Sequence, residues 1–188
     1  INLFAERMSR MFGMLNTLLH ETNENDFNKL FSRIEKYENI SDNMELEIAN
    51  YLNKVSEGRL SSESKLEIRG MLREVTEIES IGDSCYNLAR TINRKRSGGN
   101  DFTEKQYEHI HQMMQLTSDA LAQMIAVVED EHHVVDVNKS FNIENEINNY
   151  RAQLKNQNVV DVNNKEYDYQ MGVHYMDIIG ECEKLGDY

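Results

Sequence analysis

Apolar residues recur every three or four positions in six segments separated by short polar breaks, a spacing that places them on one face of a helix. Phe4, Met8, Met11, Leu15 and Leu18 make the first segment, which the polar run "HETNEND" ends. The second steps through Phe27, Leu30, Ile34, Tyr37, Ser41, Met44, Ile48, Tyr51 and Val55, a heptad seam whose one polar member is Ser41, closed by "SEGRLSSES". The third follows Ile68, Met71, Val75, Ile78, Gly82, Cys85, Ala89 and Ile92. Ser61 or Ser62 can accept from its first free amides, and the cationic "NRKRS" sits over its C-terminal dipole.

"SGGND" breaks the pattern, and Thr103 with Gln106 then reads as a capping box for a fourth helix along Tyr107, Ile110, Met114, Thr117, Leu121, Met124 and Val128. A fifth runs from about Asp136 to Gln157 around Phe141, Ile143, Ile147, Tyr150 and Leu154. A sixth starts near Asn163 or Asn164 and follows Tyr167 or Asp168, Met171, Tyr175, Ile178, Cys182 and Leu185. The pattern predicts an all-α fold of two tandem antiparallel three-helix bundles, residues 1–97 and 103–188, joined by a linker at 98–102. The sequence opens on Ile1 rather than Met and stops inside its last motif at Tyr188, which reads as a piece of a longer protein whose second bundle is truncated.

Composition supports helices: there is no Pro among 188 residues, and 39% of them are hydrophobic. A formal charge of −13, from 33 acidic and 20 basic residues, would repel a phosphate backbone, so nucleic acid is excluded as the expected partner and cations are the natural counterparts. Cys85 and Cys182 have no metal-ligand spacing and occupy apolar positions, as core thiols do. No apolar run approaches the roughly 20 residues of a membrane span.

Three acidic pairs four residues apart carry the candidate chemistry: Glu38 with Asp42, Glu79 with Asp83, and Glu183 with Asp187. The spacing puts both carboxylates of a pair on one helix face, but a chain this acidic produces such pairs by chance. Register is the informative feature. Each member follows an apolar-face position by one residue: Tyr37, Ser41, Ile78, Gly82, Cys182 and Gly186. "YENISDNMELEI" can be laid on "IENEINNYRAQL" with Glu38 over Glu144 and Asp42 over Asn148, and helix three lies on helix six at nearly the same shift. Gly82 and Gly186 each weaken a helix by about 1 kcal/mol relative to Ala, a cost that a close helix approach would offset. Carboxylates from adjacent helices could then surround a hard cation; a solvated acidic edge is the alternative.

At "EIESIGDSCYNLA", "YENISDNMELEI" and "YMDIIGECEKLGD" the chain resembles the PhoU family of phosphate-uptake regulators, duplicated three-helix bundles with Glu/Asp-x-x-x-Asp motifs. The resemblance implies metal clusters, commonly iron or zinc, one on each bundle. It assigns Glu38, Asp42, Glu79 and Asp83 to the first, and Glu144, Asn148, Glu183 and Asp187 to the second, where Asn148 departs from the acidic pattern. PhoU-like units also occur as tails of bacterial type II sodium/phosphate cotransporters. That context implies a membrane transporter domain of the same polypeptide as partner, a place at the cytoplasmic face of the inner membrane, and self-association into a homo-oligomer as a further expectation.

Glu108 with His111 and Glu129 with His132 match the E-x-x-H spacing of di-iron bundles, but on one helix they stand roughly 32 Å apart at 1.5 Å per residue and cannot share a centre. His132 and His133 read as surface histidines, and Arg94, Lys95 and Arg96 as a helix-end cluster with anionic lipid as the alternative. No nucleophile–base pairing or phosphate-binding loop is visible, so no enzyme is indicated. A metal-binding regulatory domain and a metal-free helical assembly domain remain the two readings.

Overall fold

The computed structural model describes residues 1–99, 101–129 and 137–187, the side chains of Val128, Glu129, Val137 and Asp187 excepted. The described residues form six α-helices: α1 Asn2–His20, α2 Glu24–Ser56, α3 Ser62–Ser97, α4 Glu104–Glu129, α5 Val137–Asn163 and α6 Tyr169–Asp187. Helices α1, α2 and α3 pack together, and so do α4, α5 and α6. Contacts of α3 with α6 and of α1 with α4 join the groups, so one apolar core runs through both.

Capping chemistry sets the helix starts. Ser61 is the N-cap of α3, its Oγ accepting from the Ser64 amide at 3.1 Å. Thr103 and Gln106 close the capping box, the Thr103 amide donating to Gln106 Oε1 at 2.9 Å and the Gln106 amide to Thr103 Oγ1 at 3.2 Å. The basic helix end works inside the fold. Arg96 donates to the carbonyls of Glu21 and Thr22 at 2.5 and 2.9 Å, satisfying the backbone that leaves α1, while Lys95 pairs with Asp101 at 2.6 Å.

The structure departs from the sequence pattern in burial and in helix bounds, and Met71 of the third stripe is exposed. Near the end of α2 the core residue is Leu52, and Tyr51 and Val55 are exposed, because a straight α-helix turns about 20° past a heptad repeat every seven residues. Helix α3 buries a second stripe of Ile81, Ser84, Leu88 and Thr91, since α1, α2 and α6 all pack on it. Phe141 is exposed rather than inward. Helix α5 runs beyond Gln157 to Asn163, ending where Lys165 takes φ 59°, and α6 starts at Tyr169 rather than Asn163 or Asn164, with Asp168 accepting from the Met171 amide at 2.8 Å. The expected start of helix five at Asp136, and His132 and His133, lie outside the described residues.

Candidate metal site

The two seam glycines sit at close helix contacts. A Cβ built on Gly82 would stand 3.0 Å from Met8 Sδ and 3.7 Å from Ser41 Cβ, so its absence lets α1 and α2 lie against α3. Ser41 is buried there, its hydroxyl donating to the Tyr37 carbonyl at 2.6 Å. On the other side of the repeat a Cβ at Gly186 would fall 2.6 Å from Cδ1 of Ile147. Ile147 is the position laid over Ser41, so corresponding residues meet corresponding glycines in the two halves.

Beside the Gly82 contact the residues one step further along each helix converge. Carboxylate oxygens of Glu38, Asp42 and Asp83 lie within 4.8 Å of one another, the first two half-buried and the third exposed. Glu79, one turn before Asp83 and half-buried, is hydrogen-bonded to both Asp42 and Asp83. Burial and those two bonds push its carboxyl up to about 8, so in the metal-free protein it holds a proton near neutrality. Glu38 is raised as well, by burial first and then by Asp42 and Asp83. Glu45 responds the same way to burial and the same two aspartates, which places it in the field of the cluster. It was not among the sequence candidates, although it follows Met44 by one residue, the register of the others.

The donor set fits a hard cation. It offers only carboxylate oxygens, from two adjacent helices, crowded enough that partial dehydration and like charge raise Glu38 and Glu79. A cation among them would offset both penalties.

The second set is arranged differently. Glu183 is ion-paired to Arg151 of α5, the carboxylate oxygen Oε2 against Nε. Asn148 is half-buried and its Oδ1 has no hydrogen-bond partner, while Glu144 lies along a groove with Glu74, Glu77 and Gly186. The side chain of Asp187 lies outside the described residues. Among the described residues, the first set alone brings three acidic ligand groups together.

The remaining singled-out residues have other neighbours. His111 meets His20 of α1, ring against ring at 4.6 Å between centroids, with the two Nε2 atoms 2.6 Å apart. Cys85 and Cys182 are buried, and burial raises the Cys182 thiol to about 12, so both are inert core thiols. No helix among the described residues is long and apolar enough to cross a membrane.

The helical bundle thus gathers carboxylates at a helix contact, a candidate cation site. Residues 1–92 match the model of the PhoU domain, a span that holds α1, α2, most of α3 and every carboxylate of the first cluster. The first half of the chain is therefore similar to the PhoU domain, whose family is regulatory and non-enzymatic. No curated protein matches the chain.

Proposed function

We propose that the chain is a PhoU-type regulator of phosphate uptake that responds to metal through Glu38, Asp42, Glu79 and Asp83, with Glu45 as a fifth carboxylate. The observation that carries this is the convergence of Glu38, Asp42 and Asp83 in the half of the chain that matches the PhoU domain. Iron or zinc is the metal the family implies. When bound it would supply positive charge in place of the proton that Glu79 holds, tying α2 to α3. A regulator whose two helices are linked in this way can bind two states of a transport machine unequally, the condition for shifting their populations.

The narrower form of this reading is a cytoplasmic tail of a sodium/phosphate cotransporter, acting on the membrane domain of its own polypeptide. The family match is to the PhoU domain and includes no transport module, so it supports the wider regulator. Reading the coding frame beyond both ends of the chain decides between them.

The direct test is elemental analysis of protein purified without chelator. Replacing Glu38, Asp42, Glu79 and Asp83 with their amides should strip the bound metal. Phosphate uptake by cells carrying the amide variant should match that of cells lacking the protein. Equal metal content in wild type and variant would leave the metal-free assembly domain as the reading.

A further inference from the structure

The alignment of α2 on α5 places Arg151 where the first half has Glu45, and Asn148 where it has Asp42. In the first half the corresponding group adds negative charge around Asp42 and Asp83. In the second it is a guanidinium lying against Glu183, the counterpart of Glu79. Two acidic positions have thus become one neutral and one cationic. The reversed charge falls on the register position that faces the carboxylates.

We infer that Arg151 is the built-in cation of the second bundle, occupying by a side chain the role that a metal ion has in the first, so that the chain carries one metal site and not two. This inference rests on the metal reading of the first bundle. Three observations support it independently of composition. Glu183 already has its counter-ion. The carboxamide of Asn148 brings no charge to hold a cation, and its Oδ1 has no hydrogen-bond partner. The helix contact that frames the site is kept, with Ile147 against Gly186 as Ser41 is against Gly82, so geometry is retained where ligand chemistry has changed. A guanidinium stays protonated at any working pH and cannot be exchanged, removed by chelator or sensed. The second bundle is on this account a fixed partner for a first bundle that responds to metal.

Metal content and stability separate the outcomes. Wild type, E79Q/D83N, E183Q and N148D/R151E would be purified without chelator, with helix content checked by circular dichroism, and their iron and zinc measured per chain. E79Q/D83N should lose at least about five-fold of the metal, E183Q none, and N148D/R151E should hold about twice the wild-type amount. A loss in E183Q comparable to that in E79Q/D83N overturns the inference, and so does a folded N148D/R151E with no gain. Metal equal in wild type and E79Q/D83N counts instead against the first site. A double-mutant cycle of R151A with E183Q, followed by urea unfolding in chelator, does not depend on that site. Arg151 as counter-ion requires that R151A be destabilising with Glu183 present and much less so with E183Q, and strictly additive effects overturn it.

Discussion

Glu79→Gln should stabilise the metal-free protein in alkaline buffer while removing its response to metal. The carboxyl has an ordinary value of 4.5 and is raised in the folded protein to about 8. Between those values the folded state holds a proton that the unfolded state has released, so metal-free stability is fully present below pH 4.5 and is lost as pH rises through about 8. At about 1.4 kcal/mol per pH unit the ceiling is roughly 5 kcal/mol. Solvent around this half-buried group screens most of that, leaving on the order of 1–2 kcal/mol. Urea unfolding in chelator at pH 6 and pH 9 reads the difference. Wild type should lose stability between the two and the Gln variant should lose about 1 kcal/mol less, since pH 6 to 9 spans a little over half of the interval. With metal present the wild-type trend should reverse, because protons compete with the cation for the same oxygens. A metal-free wild type that is equally stable at both pH values, or a Gln variant that tracks it, would refute the account of the cluster.

Other residues give further checks. Gly186→Ala should cost about 1–2 kcal/mol, since the new methyl meets Cδ1 of the fully buried Ile147 at 2.6 Å and crowding outweighs the gain in helix propensity. Gly82→Ala should stay within about 1 kcal/mol of wild type, because the atom it meets is the thioether of Met8, which can turn aside; thermal melts of both variants compare them. Arg96→Ala should cost about 1–2 kcal/mol by freeing the carbonyls of Glu21 and Thr22 and uncovering the Phe27 ring, with Lys a poor substitute in chemical denaturation. Burial, His111 and Lys95 lower His20 against the opposite pull of Asp101, so the α1–α4 contact contributes stability above pH 6.5 that is lost as pH falls through the folded value. His111→Gln should flatten the acid side of the melting profile, and an unchanged acid side would discount the histidine pair.

The helical order was legible because each apolar stripe is set by contact with neighbours that recur at the same spacing. Capping pairs such as Thr103 with Gln106 could be read directly, since cap and amide lie within one turn. What the pattern could not carry was contact from more than one side. Ile81 and Leu88 of α3 look like interruptions of a single stripe, and become core only because α6 of the other half lies across them. The same holds for the end of α5, where the β-branched run Val159, Val160 and Val162 argues against helix. Tyr167 donates to Asn158 Oδ1 at 2.6 Å and Gly172 lies against Val162, so tertiary packing holds the last turns that propensity disfavours.

The candidate site was legible as a register and illegible as a charge balance. Spacing of four is common in an acidic chain, but placing every carboxylate one residue past an apolar position and repeating that in two helix pairs selected Glu38, Asp42, Glu79 and Asp83, of which three now share one small volume. The rule that found them stopped at acidic pairs. Glu45 falls three residues after Asp42 with no acidic residue four away, and its counterpart Arg151, being basic, matches no acidic motif. Yet the sign at that single position decides how similar the halves are, because a guanidinium against Glu183 supplies the positive charge for which the first cluster would recruit an ion. The glycine contacts are matched in both halves, whereas the charge at this position is not. In a duplicated bundle, the position where the charge reverses therefore says more about which half responds to metal than the acidic motifs that both halves retain.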